Sequence, residues 1–354
     1  MKKSLIALAA LAATTAFAQS TVQVVGVFDP SVASQETTYG NNNKVSQQFV
    51  RNNSQGTSQI TFKGTEDLGG GLKANFLFEN DFDTRFDAYG AGFANTGAAS
   101  TLSGGVKTGG SNFGSNGGEQ FLNLEGGFGK IALGAPNTPS LFSQSANPFG
   151  TKIGGAFGVV NSGKVRTNNT VMYSTPTMSG FTGHLAYSFK TVVDANPTAA
   201  IPVVSDKTDI GLFYANGPLV AMFTSFKTGA TGSTAATLEK TDNNLTATYD
   251  LGVAKLGAGY FTQKQTGNVD KQGTQLFATV PLSGALSLLA SYAQVDDKTA
   301  TNADAKMTAV GLKYAFSKMT SVYARYVDQT NDNITTASAV KKQTTALVGM
   351  MTAF

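Results

Sequence analysis

From residue 19 onward, apolar and polar positions alternate in runs of 8 to 12 residues, each ended by a turn or a polar stretch. In the clearest run, 181–190, Phe181, Gly183, Leu185, Tyr187 and Phe189 fall on one side, and Thr182, His184, Ala186, Ser188 and Lys190 on the other. A period of two is the period of a strand, and here one face suits lipid and the other water. The same split sets Leu72, Ala74, Phe76 and Phe78 against Lys73, Asn75 and Glu79, and Leu245, Ala247 and Tyr249 against Thr246, Thr248 and Asp250. It returns with Val310, Leu312, Tyr314 and Phe316 against Gly311, Lys313 and Ala315. Charges stay off the apolar side, as they must where a Lys or Arg facing lipid at mid-bilayer costs about 2 to 4 kcal/mol.

The connections alternate in length. Short ones fall at Glu66 to Gly71, Gly126-Gly127-Phe128-Gly129, Asn216-Gly217-Pro218 and Ser317-Lys318, and long polar ones at 30–56, 84–118, 138–165 and 191–207. Short periplasmic turns against long extracellular loops mark a membrane barrel. Counting runs between connections predicts an all-β, transmembrane antiparallel β-barrel of about 16 strands, an even number that returns both ends to one side.

Residues 1–18 add a basic start, Lys2-Lys3, a short apolar run and the Ala16-Phe17-Ala18 cleavage pattern, which predict a signal peptide for export. The barrel domain is then 19–354. Without Lys2 and Lys3 the 26 basic residues become 24 against 22 acidic ones, a net charge of about +2 that gives no reason to expect nucleic acid as a partner. There is no Cys for a disulfide or thiolate site, and no cofactor is expected. The 40 Gly, 24 Phe and 11 Tyr, with 14% charged residues, fit turns and strands better than a helical enzyme.

Several segments resemble the trimeric general porins of Gram-negative bacteria, most closely those of beta-proteobacteria. They are Phe62-Lys63-Gly64-Thr65-Glu66-Asp67-Leu68-Gly69-Gly70-Gly71-Leu72-Lys73-Ala74, Gly126-Gly127-Phe128-Gly129 with Leu133-Gly134, and the Asn-Thr-Val-x-Tyr-x-Thr-Pro core that ends at Pro176. The terminal Phe354, in step with Val348 and Met350, resembles the signal read by the barrel-insertion machinery. The resemblance implies 16 strands, a homotrimer among outer-membrane lipids, passive diffusion of small hydrophilic solutes and ions, and a third loop folded inward as the constriction. That loop is 138–165, and its Asn147-Pro148-Phe149-Gly150 is similar to the Pro-x-Phe-Gly turn of such loops, shifted in register and without a Glu beside the Phe.

From Gly126 to Val193 there is no Asp or Glu, while Lys130, Lys152, Lys164, Arg166 and Lys190 are present. Fixed charge in a narrow pore decides which ions pass, so Lys152, Lys164 and Arg166 predict a mild anion preference, unless they are solvated loop cations away from the opening. Arg325 falls on the inward parity opposite Val322, Ala324 and Tyr326. Glu79, Asp81 and Asp83 share the parity of Lys73 and Asn75; they could set a field across the pore, bind Ca²⁺, or be an ordinary hydrated strand end. Lys63, Lys73 and Glu125 complete the candidate selectivity set. The resemblance also implies arginines on the wall, but Gln59, Gly118 and Ala135 stand at the matching positions.

A barrel hydrolase would need a Ser and a His on the lipid side, and the only His, His184, has inward parity. Two further alternatives stay open: a sugar-specific channel with an aromatic slide and 18 strands, and an adhesin whose barrel is only an anchor.

Overall fold

The structure is a computed structural model and describes residues 21–84, 118–160, 163–190, 205–231, 238–334 and 336–354. The predicted signal peptide, and most of the predicted loops 84–118 and 191–207, lie outside the described residues.

Eighteen strand segments form one closed antiparallel sheet among the described residues: β1 (Thr21–Phe28), β2 (Pro30–Tyr39), β3 (Lys44–Asn52), β4 (Gln59–Gly69), β5 (Leu72–Asp81), β6 (Gln120–Gly126), β7 (Gly129–Ala135), β8 (Thr170–Ser174), β9 (Phe181–Ser188), β10 (Lys207–Asn216), β11 (Leu219–Thr228), β12 (Lys240–Asp250), β13 (Lys255–Gln265), β14 (Val269–Pro281), β15 (Leu286–Asp297), β16 (Ala305–Ala315), β17 (Thr320–Asn331) and β18 (Val340–Ala353). Two pairs of segments are each a single strand of the wall. β1 and β2 run on through Asp29, with β1 paired to β4 and β2 to β3. Val27 lies opposite Gln59 and Pro30 opposite Asn52, so residues 53–58 stand against only Phe28 and Asp29. That excess of four residues pushes an excursion out of the β3–β4 strand. Eighteen segments less two joins is a wall of 16 strands, and a closed wall leaves no unpaired edge in lipid.

Closure is made at the ends of the chain. β18 pairs with β2 from Val340↔Tyr39 to Gly349↔Ser31, and with β1 at Val27↔Ala353. Gly26 and Phe354 exchange two backbone hydrogen bonds of 3.0 Å. A Cβ on Gly26 would come 2.3 Å from the Phe354 ring, so the missing side chain is what lets the terminal ring lie on the first strand.

The alternation read from the sequence is the facing of the wall. Val22, Phe76, Leu122, Leu185, Ile210, Leu245, Leu312 and Val348 are exposed on the outside, while inward neighbours such as Thr224, Thr246, Ser291 and Thr345 are buried. The molecule is therefore polar inside and apolar outside, the reverse of a water-soluble domain. Among the described residues no helix is long and apolar enough to cross a membrane; the crossing is made by strands. At the tight end of the barrel, Gly69, Gly70 and Gly71 all take positive φ (82°, 61° and 80°), a conformation open to Gly at no steric cost, and the Gly69 N–H donates to Asp67 Oδ1 at 2.9 Å.

One sequence expectation is corrected. Residues 30–56 are mostly not a loop: they supply β2 and β3, joined by four residues. The polar residues that looked like loop, Gln35, Glu36, Thr37, Gln47 and Gln48, sit on paired strands whose alternation is weak because outward positions such as Ser34, Glu36 and Gln48 are as polar as the inward ones.

The constriction: candidate functional site

The connection from β7 to β8 turns into the barrel. Its neck is closed by the Asn137–Arg166 bridge and by the Thr138 N–H, which donates to Val165 O at 3.0 Å. Helix α1 (Pro139–Ser145) starts there, with Thr138 as N-cap accepting from Leu141 N and Pro at the first turn, where its missing N–H costs nothing. The wall then holds the loop at successive points. Ser140 donates through N and Oγ to the two oxygens of buried Asp209 on β10 (2.8 and 2.9 Å). Ser143 Oγ meets Thr246 Oγ1 on β12 at 3.1 Å. Asn147 Nδ2 donates to Ser291 Oγ at 2.8 Å and to Gln275 Oε1 at 3.3 Å, while its Oδ1 accepts from Phe149 N at 3.0 Å.

Phe149 is 1% exposed and anchors an apolar cluster with Phe261, Leu289, Ala293, Met307, Ala309 and Val327, which packs the middle of the loop against the inner wall. Helix α2 (Phe157–Val160) continues that contact through Val160. On the way back, Gly163 N donates to Asp242 Oδ2 on β12 at 3.1 Å. The loop thus lies against the wall from β10 to β17 and narrows the lumen from one side.

The tip of the loop meets the 53–58 excursion. Lys152 Nζ donates to Thr57 Oγ1 at 2.6 Å. Arg325 Nη1 donates to Ser54 O at 2.6 Å and Ile153 O at 2.7 Å, and the guanidinium lies 5.0 Å from the Phe149 ring and 5.2 Å from that of Tyr323. Buried Asp29, at the kink between β1 and β2, accepts from Gln55 N (2.5 Å), Gly56 N (2.8 Å) and the Tyr323 hydroxyl. Kink, excursion, β17 and loop tip are one hydrogen-bonded unit.

Across from the loop stand the carboxylates. Arg166 pairs with Asp81 at 3.3 Å and Glu79 at 3.8 Å. Glu79 also accepts from Gln59 Nε2 at 2.5 Å and from Glu119 N at 3.2 Å, and Glu119 accepts from N and Nδ2 of Asn137, both at 2.9 Å. Lys152 has no ion-pair partner of that kind among the described residues. Burial pushes its ammonium below the usual lysine value, against the opposing pull of Asp81 and Asp29.

The structure brings Lys152, Arg166, Glu79 and Asp81 together at the constriction and separates the rest of the predicted set. Arg325 faces inward as its parity required, but at 4% exposure it is embedded between wall and loop and does not line the opening. Lys164 is exposed at the loop neck, where its carbonyl accepts from the Thr138 hydroxyl. Lys63, Lys73 and Glu125 are not at the constriction. Lys63 is four residues, about 13 Å along the strand, from Gln59 towards the tight-turn end. Lys73 and Glu125 lie at the tight-turn mouth in one cross-strand row, Asp67–Lys73–Glu125–Lys130, where signs alternate from strand to strand. Asp83 lies beyond the end of β5. No cluster of three or more metal-ligating side chains forms among the described residues, and Glu79 and Asp81 engage Arg166 instead of a cation site.

Sequence reasoning missed Asp29, Thr57, Glu119, Asp209 and Asp242. The last two carried a signal: each is a carboxylate on the inward parity of its strand, two residues after an inward lysine, Lys207 or Lys240. His184 accepts from or donates to Ser174 Oγ at 2.9 Å inside the lumen, and among the described residues no carboxylate hydrogen-bonds to that pair to make a hydrolytic triad.

A closed 16-strand wall with an inward loop and a charged constriction is the architecture of a diffusion channel, and comparison with known proteins agrees. The Gram-negative porin family model matches residues 4–334. The chain is 30% identical over 360 residues to outer membrane porin protein 32 of Delftia acidovorans, covering 95% of this chain and 92% of that protein. Among solved structures it is similar to an anion-selective porin from Comamonas acidovorans, at 26% identity and a TM-score of 0.75, covering 95% of this chain and all of the other. It shares the fold of OmpT from Vibrio cholerae in its trimer form, at 15% identity and a TM-score of 0.62, covering 95% and 99% of the two chains. The chain therefore belongs to the Gram-negative porin family: it is a passive channel of the outer membrane and not an enzyme.

Proposed function

We propose that this porin passes small hydrophilic solutes with a mild preference for anions, set chiefly by Lys152 and supported by Lys164. The observation that carries the reading is the unequal engagement of charges at the constriction. Arg166 is offset by Glu79 and Asp81, and Glu119 is held by Asn137. Arg325 and Asp29 are both buried and lie in one network. Lys164 at the neck is exposed and Lys152 at the tip is half-buried, and neither has a carboxylate within ion-pair distance among the described residues. Because carboxylates remain nearby, and Gln59, Gly118 and Ala135 on the wall carry no charge, the preference is weak. Reversal potentials in a KCl gradient across a planar bilayer test this; a cation-selective potential overturns it, and Lys152→Gln is expected to bring the potential towards zero.

The export and assembly of the chain are part of the same proposal. Residues 1–18 act as a signal peptide, Phe354 marks the chain for the insertion machinery, and the barrel forms a homotrimer. Trimer formation is supported by an outward aromatic patch on β1, β4, β5 and the terminus: Phe28 lies 4.9 Å from Phe82 and 6.5 Å from Phe354, and Phe62 lies 6.5 Å from Phe78. Rings packed on the outside of a barrel suit a protein neighbour. Cross-linking in mild detergent is expected to give three-chain species that collapse on heating; a monomer throughout counts against it.

A further inference from the structure

The inner face is lined mostly by Thr, Ser, Asn and Gln, yet one large apolar side chain of the loop is open to the lumen. α1 lies on the inward faces of β10 and β12, held by Asp209 and Thr246, and its Phe142 remains 43% exposed. The Phe142 ring is edge-on to Phe213 on β10 with centroids 6.1 Å apart, and Phe213 in turn lies 4.5 Å from the ring of His184 on β9. Phe213 and His184 have inward parity, alternating with exposed Leu212, Leu185 and Tyr187 on the outside. The three rings therefore form a continuous strip on the inner wall, which runs from the constriction loop across β10 to β9.

Two details show that the strip is built into the fold. A Cβ on Gly211 would lie 2.7 Å from Pro139 and 3.1 Å from the Phe213 ring, so this glycine is what lets α1 and Phe213 seat side by side. His184 is oriented by Ser174, and Ser174 lies opposite both His184 and Lys130 in the register. That puts Lys130 two strands, about 10 Å, from His184 on the same row, with Glu125 on its far side. An aromatic face exposed in water, with an ammonium about one small molecule away, matches a planar ring that carries one carboxylate. The ring would cover Phe213 and His184 with Phe142 at its edge, and the carboxylate would point along the row towards Lys130.

We propose that the Phe142–Phe213–His184 strip, with Lys130, is a contact subsite for small aromatic carboxylates on their way through the channel. It deepens the anion reading above, since it supposes that anions enter. Its readout, current noise from solute dwell, is separate from the reversal potential that tests that reading.

The experiment is single-channel recording of the full-length protein with benzoate, cyclohexanecarboxylate, which has the same charge and similar size but no aromatic ring, and benzyl alcohol, which has the ring and no charge. Benzoate is expected to give more excess current noise than cyclohexanecarboxylate. Phe142→Leu keeps apolar bulk on an exposed loop position and is expected to shorten benzoate dwell about fivefold with KCl conductance unchanged. Lys130→Gln is expected to reduce benzoate noise and leave benzyl alcohol noise as it was. Equal noise from the two carboxylates, or benzoate dwell indifferent to Phe142→Leu, overturns the subsite. Noise from benzyl alcohol without noise from benzoate overturns its assignment to carboxylates.

Discussion

Two rings of charge face the same lumen, and they are built differently. At the tight-turn mouth, Asp67, Lys73, Glu125 and Lys130 lie on neighbouring strands in register, each beside the opposite sign, and Asp67, Lys73 and Glu125 are exposed to water. At the constriction, Arg166 reaches across 85 residues of sequence to Asp81, and Lys152 across 95 to Thr57, in surroundings that are half-buried. Charge at the mouth is screened by water and by its neighbour, and acts over short range. Charge at the constriction sits among low-dielectric walls and acts on whatever ion is in the opening. Two arrangements with similar numbers of Lys and Asp or Glu thus carry unequal weight in selectivity.

The comparison breaks most visibly at the contacts that hold the constriction in place. Arg325→Ala removes the donor to both carbonyls and the guanidinium between Phe149 and Tyr323, and takes one of two cations, the other being Lys152, from the neighbourhood of buried Asp29. Loss on the order of 3 kcal/mol is expected, read as a lower denaturant midpoint in detergent, with a noisier open channel because Ile153 is released. A quiet channel of unchanged stability would mean that the loop tip is held by other contacts. Next comes Asp209→Ala, which strips the partner from the Ser140 N–H and hydroxyl. About 2 kcal/mol is expected, and α1 should show faster amide exchange while the β14–β17 side of the loop stays protected.

Selectivity changes are smaller and sharpen the contrast. Lys152→Gln removes one charge from the opening and is expected to lower the anion-to-cation permeability ratio about two- to fourfold, the effect of a unit charge about 10 Å away at near-aqueous screening. Glu79→Gln should move the same ratio the other way. Because burial lowers the Lys152 value, its charge is lost at a lower pH than that of an exposed lysine. The anion preference should therefore decline as pH rises into the alkaline range, earlier than bulk lysine titration, and a profile that first strengthens with rising pH contradicts the assignment. Smallest of all is Lys73→Gln at the mouth, where a change in reversal potential near the limit of measurement and a stability change within about 0.5 kcal/mol are expected. A shift as large as that of Lys152→Gln would erase the distinction between the two rings.

How much of this was legible along the chain follows the range of the physics. Facing was legible wherever one side of a strand meets lipid, as in 181–190, because the cost of a misplaced charge writes a period of two into the sequence. It was not legible in 30–56, where polar residues on both faces, such as Gln35 and Glu36, leave no period of two and strands read as loop. Arg325 was assigned to the correct face from parity alone, but its role was not, since a side chain on the inward face either lines water or is covered by a loop, and parity is the same for both. The mouth row could be seen as individual charges but not as a row, because cross-strand register depends on turn lengths and on the excess of four residues at 53–58.

By itself, then, the sequence determined the barrel: alternation, turn glycines, unequal connections and the closing Phe354 are local patterns that each strand enforces within a few residues. Tertiary structure alone decided the pore. The Tyr323–Asp29 and Arg325–Ser54 contacts join residues 294 and 271 positions apart, and the inward loop has a place only because Asp209, Asn147, Phe149 and Lys152 find partners on the wall and on the excursion. Those pairings are set by closure of the sheet, which brings distant strands into register, and no local periodicity records them.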